Sequence, residues 1–194
     1  MKLTKIERGT DVATKIKLAV VSVLMRERVP DIARMFMYRP AYFGKPLTAY
    51  IQTLLRGASE WTVGERELFA AFVSHCNDCA FCYASHRAVA VRALGLDLVD
   101  AVLRDWRSAP VTPQIRAVLE FLELMTKGSP IGRSEVERAL ENGVSEDGLL
   151  TAVHICIVFT IINRVADALG FEVESASSLA KSADHLLRIG YRTY

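Results

Sequence analysis

Residues 62–94 constrain the fold before any chemistry is considered. Thr62-Val63-Gly64-Glu65 is a capping-box start, and apolar residues then recur at helical spacing to about Cys76. Asn77-Asp78 interrupts the run, and a second helical stretch extends from Cys79 to about Leu94, where Gly95 stops it. Two helices joined by so short a turn must fold back on each other. The remaining segments follow the same pattern. Helices are expected over 11–25 and 31–38, and from Pro46 to Arg56 with Leu47, Tyr50, Ile51, Leu54 and Leu55 facing inward. Others follow over Asp97–Trp106, Pro113–Lys127, Ser134–Asn142, Glu146–Leu169 and Ser175–Ile189. The apolar run TAVHICIVFTII makes 146–169 the expected central helix, packed on most sides. No strand alternation persists and no glycine-rich phosphate loop is present, so no nucleotide cofactor has an evident cradle. The expected class is all-α, with 1–194 as one helical domain built from one unit or two fused helical halves.

Composition narrows the function classes. A net charge of +2 with scattered Lys and Arg does not indicate nucleic-acid binding. Mean hydropathy is +0.21, and no run is read as approaching the ~18 apolar residues of a membrane span. Part of that apolar surface is therefore expected between subunits of a homo-oligomer. Leu18–Met25 is followed by Arg26-Glu27-Arg28, where a signal peptide would need small residues, so the N-terminus reads as the start of a cytoplasmic fold. Three of the four cysteines lie within 76–82, a clustering of intracellular thiols rather than a disulfide framework.

The helix junction carries the chemistry, in the stretch ELFAAFVSHCNDCAFCYASH. If Asp78 caps a helix beginning near Cys79, then Cys79, Cys82 and His86 stand at i, i+3 and i+7, within an arc of about 60°. A thiol at a helix N-terminus meets unpaired N–H groups and the positive end of the dipole, which favour the reactive thiolate. An imidazole one turn away can take the thiol proton. Competing readings stay open: the cysteines as small buried hydrophobes, or a zinc site drawn from His75, Cys76, Cys79, Cys82 and His86. No second ligand pair lies downstream to complete such a zinc site, and no metal is assigned. Cys76 is a core residue or an alternative resolving thiol, His75 adjoins the motif without matching it, and His154 is a core histidine. Asn163 and Asp167, polar in an apolar run, must be paired, either bracing Arg164 or bordering the site. Trp61, Phe69, Phe72, Phe81 and Tyr83 are candidates for an apolar wall or plain core.

The spacing Glu67-x11-Cys79-x2-Cys82-x3-His86, on a helical background, resembles the AhpD-like alkylhydroperoxidase branch of the carboxymuconolactone decarboxylase superfamily. The segment ALENGVSEDGLLTAV…IINRVADALGF is also similar to the C-terminal part of family members, extending the resemblance over most of residues 25–172. The resemblance implies an oligomeric AhpD-like helical bundle and a thiol-dependent hydroperoxidase. It implies Cys82 as the peroxide-attacking thiol, Cys79 as the resolving thiol, and Glu67 and His86 as a proton relay. A hydroperoxide would be the substrate, and an external dithiol, thioredoxin-like or lipoyl, the reductant. Some members carry a histidine between the cysteines; here Ala80-Phe81 stands there. A decarboxylase-like enzyme or a non-catalytic redox sensor are the other readings.

Overall fold

The computed structural model describes residues 1–9, 11–25 and 28–191, the side chains of 24 and 25 excepted. Arg26 and Glu27, on which the signal-peptide argument turns, lie outside the described residues. Eleven α-helices and no strand occur among those described: α1 (Thr4–Arg8), α2 (Val12–Met25), α3 (Asp31–Tyr38), α4 (Lys45–Arg56), α5 (Val63–Cys76), α6 (Ala80–Leu94), α7 (Leu96–Asp105), α8 (Pro113–Thr126), α9 (Arg133–Glu141), α10 (Glu146–Leu169) and α11 (Ala176–Ile189). The all-α class stands. Two elements escaped the sequence reading: the short α1, and a π-turn over Pro40–Gly44 that leads into α4.

Local chemistry sets the boundaries. The hydroxyls of Thr62, Thr112, Ser145 and Ser175 accept from the backbone N–H three residues on, each satisfying an otherwise orphaned donor at a helix start. At Thr62 the Glu65 carboxylate returns the bond to the Thr62 N–H at 2.7 Å, completing the capping box.

The centre of the bundle is α5, not α10. From Gly64 to Ser74 every residue of α5 except Glu65 is buried, and it packs against α4, α6, α7, α8 and α10. Small residues make this enclosure feasible: Ala70 and Ala71 are fully buried, and a Cβ on Gly64 would stand 2.7 Å from a Leu94 methyl. The long α10 is apolar enough by length and composition to cross a membrane, contrary to the reading that no run approaches that limit. Half of its most apolar stretch is buried against its neighbours, through Ala152, Ile155, Cys156, Phe159 and Ile162. Its other face is open, with Leu150, Ile157 and Ile161 exposed. His154 lies on that open face rather than in the core, and its Nδ1 meets the hydroxyl of Tyr50, which is itself turned out from the inner face of α4.

Two staples fix the helices around α5. The Arg66 guanidinium donates at 2.9 Å to the carbonyls of Leu54 and Gly57, capping the end of α4 from inside α5. The Trp61 indole donates to the Gly148 carbonyl at 2.9 Å, tying the α4–α5 loop to the start of α10. Replacing Thr62 by Ala is expected to cost about 1 kcal/mol through the lost cap, measurable as a lower urea midpoint at unchanged slope.

Candidate active site

The α5–α6 junction is built from a helix C-terminal motif. Asn77 caps α5, and Asp78 adopts φ 56°, the left-handed region. Its N–H donates to His75 O and that of Cys79 to Ser74 O, both at 3.0 Å, a Schellman closure. Asp78 therefore ends α5 instead of capping α6. Cys79 is itself the N-cap of α6, which begins at Ala80, so the expected helix start moves by one residue. The turn leaves Cys79 and Cys82 on the inner side, 0% and 2% exposed.

Both thiols are free, and each acts on the other's acidity. The Cys82 thiol donates to the Cys79 sulfur, and this hydrogen bond, with the backbone N–H of Cys82, holds Cys79 below the usual thiol range against the opposing effect of burial. Cys82 is pushed well above that range, first because its proton is engaged by Cys79, then by burial and the neighbouring negative charge. Of the two sulfurs, the N-cap one is thus the more acidic, and the helix dipole acts there as well. Asn163 and Asp167 of α10 both face this pair. Asn163 is fully buried; it accepts from Asn77 Nδ2 at 3.0 Å and donates to Ser74 Oγ at 3.1 Å. Asn163 is the buried, hydrogen-bonded one of the two; Asp167 is exposed, so burial does not oblige it to pair, and it acts on Cys79 from the solvent side of α10.

One turn beyond Cys82, His86 is nearly buried and its Nδ1 lies 2.7 Å from Glu67 Oε2. The Phe159 ring packs on the imidazole in a T-shaped contact, with ring centroids 4.4 Å apart. Glu67 is 0% exposed. Its other oxygen, Oε1, receives Arg56 Nη2 at 2.7 Å and the Tyr191 hydroxyl at 2.9 Å. Burial alone would raise the Glu67 carboxyl; the hydrogen bond and charge of His86 and the Arg56 cation outweigh it, and the net shift is downward. Burial, then the adjacent Glu67 charge, raises the Tyr191 hydroxyl well above its ordinary value, so Tyr191 serves as a donor.

The four residues singled out by spacing thus form two adjoining polar clusters, a thiol pair and a carboxylate–imidazole pair, joined through α6. Arg56, Tyr191 and Phe159 were missed. Arg56 reads in sequence as an ordinary basic residue ending α4, and Tyr191 lies 124 residues from Glu67; no spacing signal connects them. His75 turns away to a tilted contact with Tyr83, centroids 5.5 Å apart, and among the described residues no three His, Cys, Asp or Glu side chains gather as a metal site. Cys76 is half-buried, and burial together with Glu123 pushes its thiol up to about 11, the behaviour of an unreactive packing residue. Trp61 meets Phe69 and Phe81 meets Phe171 edge to face, with ring centroids 5.3 and 5.2 Å apart, as core contacts. A groove of about 680 Å³ between α6, α7 and α11 runs beside Tyr83 and Arg87, and none of Glu67, Cys79, Cys82 or His86 lines it.

No protein-family signature matches the chain, and no curated protein does. Solved structures do. An uncharacterized peroxidase-related protein from Silicibacter sp. TM1040 superposes with a TM-score of 0.75 at 22% identity, over 90% of this chain and 92% of its own. A second uncharacterized peroxidase-related protein, from Ralstonia eutropha JMP134 and described as an alkylhydroperoxidase AhpD core, gives 0.72 at 22% identity over 89% and 90%. This chain has the AhpD-like fold. The debrominase Bmp8 shares it more distantly, with a TM-score of 0.66 at 12% identity over 94% of this chain and 96% of its own.

Within this AhpD-like fold the buried Glu67 sets an acid limit. Its carboxyl is lower in the folded chain than in the unfolded one, so its contribution is complete above the unfolded value near 4.5 and disappears as pH falls below it toward the folded value. Glu67→Gln is expected to destabilise by about 3–5 kcal/mol at pH 7, because Arg56 is left buried without its counter-ion. The variant should also lose less stability than the parent between pH 4.5 and 3, as read by urea unfolding at each pH.

Proposed function

We propose that the chain is a thiol-dependent hydroperoxidase whose thiol pair is Cys82 and Cys79 and whose proton relay is His86 and Glu67. The observation that carries this reading is the contact between two buried, reduced thiols at the start of α6, with the Glu67–His86 pair one helical turn along the same face. Residues at i and i+4 of a helix are neighbours, so Cys82 and His86 are placed to exchange a proton directly or through a water. The proton on Cys82 passes to His86 or to the Cys79 sulfur, and the Cys82 thiolate attacks the terminal oxygen of the hydroperoxide. The O–O bond breaks, the alkoxide takes a proton and leaves as alcohol, and Cys82 remains as sulfenic acid. The Cys79 thiolate then attacks that sulfur, releasing hydroxide, which is protonated to water. The sum is two thiols and one hydroperoxide giving one disulfide, one alcohol and one water.

An external dithiol reduces the disulfide by exchange through a mixed disulfide, and neither metal nor flavin enters the cycle. The chain acts as one helical domain in a cytoplasmic homo-oligomer; the exposed apolar stripe Leu150, Ile157 and Ile161 on α10 supports association. A second reading follows from the likeness to the debrominase: the same two thiols could supply the two electrons for reductive removal of a halogen from an aromatic ring.

The test is thiol mapping by mass spectrometry with stoichiometric cumene hydroperoxide, alongside turnover with dithiothreitol. The parent is expected to form the Cys79–Cys82 disulfide. Cys82→Ser should lose turnover by about a hundredfold or more, and Cys79→Ser should stop at a sulfenic acid on Cys82. Turnover that survives Cys82→Ser would refute the assignment, and bromide release from a bromopyrrole without peroxide consumption would favour the second reading.

A further inference from the structure

The carboxylate of Glu67 has two oxygens with different partners, and the division decides what His86 can do. Oε2 faces His86 Nδ1; Oε1 is held by Arg56 Nη2 and by the Tyr191 hydroxyl. We propose that Arg56 and Tyr191 are positioning residues of this site, holding Glu67 as an acceptor so that His86 carries its proton on Nδ1 and keeps Nε2 as a free base.

A fully buried carboxyl with no cation beside it tends to become neutral, because burial penalises its charged form. A neutral carboxyl can donate to Nδ1, which would move the imidazole proton to Nε2 and remove the lone pair needed to accept a proton from a thiol. An anionic carboxylate has nothing to donate, so Nδ1 must be the N–H. Arg56 secures the anion with a 2.7 Å ion pair, and its side chain is only 9% exposed, so solvent does little to weaken it. Tyr191 adds a second donor to the same oxygen, and its ring lies along the imidazole, 28° from parallel with centroids 6.5 Å apart.

Each of the two residues is held by further contacts. The Arg56 guanidinium also donates to the Leu186 carbonyl of α11, with Nη2 at 3.2 Å, and lies 5.0 Å over the Tyr191 ring. Gly190 ends α11 at φ 71°, and the Tyr191 N–H then donates to Gln52 Oε1 of α4 at 2.6 Å. The groups facing His86 come from α5 (Glu67), α10 (the Phe159 ring) and the end of α11 (Tyr191), with Arg56 of α4 behind Glu67. The proposal rests on the His86 role given above, yet the tautomer is measurable apart from turnover.

The experiment is 15N NMR of the His86 ring, assigned by loss of its signals in His86→Asn, together with single-turnover oxidation of the thiols by cumene hydroperoxide. The parent should show the Nδ1–H tautomer. Arg56→Gln should populate the Nε2–H tautomer and oxidise about tenfold or more slowly, and Arg56→Lys, which restores a cation, should recover both. Tyr191→Phe removes one oxygen atom; it should shift the His86 ring resonances and slow oxidation several-fold, and this arm stands even if circular dichroism shows that Arg56→Gln does not fold. An unchanged tautomer and rate in Arg56→Gln, or an unchanged spectrum and rate in Tyr191→Phe, overturns the proposal for that residue. A parent with the Nδ1–H tautomer but no peroxide consumption would instead refute the hydroperoxidase reading and leave the positioning roles standing.

Discussion

A carboxylate buried at the middle of a helical bundle is the demand around which this structure is arranged. Glu67 sits on α5, the helix enclosed on nearly all sides, and an unpaired charge there would cost several kcal/mol. The partners that make the burial tolerable come from three other places in the chain: Arg56 at the end of α4, His86 in α6 and Tyr191 just past α11. Satisfying one charge thus draws four elements to a point. Arg66, which seals the carbonyls at the end of α4 from inside α5, keeps the register that lets Arg56 reach Glu67.

The thiols depend on a different device, the way α5 stops. A Schellman closure uses Asp78 in the left-handed region to reverse the chain within two residues, which makes Cys79 both the last partner of α5 and the N-cap of α6. One sulfur is therefore placed at the positive end of a helix and the other one turn in, close enough for each to shift the other's acidity. The lower thiol value at Cys79 and the attacking role proposed for Cys82 are compatible: in the proposed cycle a Cys79 thiolate is both the base that takes the Cys82 proton and the nucleophile of the second step.

The surface divides from the interior accordingly. The chemistry-bearing groups are buried and away from the 680 Å³ groove, whereas apolar side chains are left outward on α10 and, in α2, at Val12, Ile16, Val20 and Val23. The long α10 serves both sides. Its inner face brings Asn163 and Phe159 to the thiols and to His86, and its outer face leaves Leu150, Ile157 and Ile161 in solvent.

Much of this was legible along the chain. Thr62-x-x-Glu65, Asn77-Asp78 and the glycines at 95 and 170 mark helix ends because capping is local chemistry, and the C-x-x-C with His86 lies on one helix, where spacing alone places side chains on a common face. The choice of α5 over α10 as the buried centre was not legible, since an apolar run records that a helix has an apolar surface and not what covers it. Nor could spacing reveal Arg56 and Tyr191. Periodicity reports neighbours within one helix, whereas the partners of a buried charge are chosen by which helix ends meet in space, and only the tertiary fold decides that.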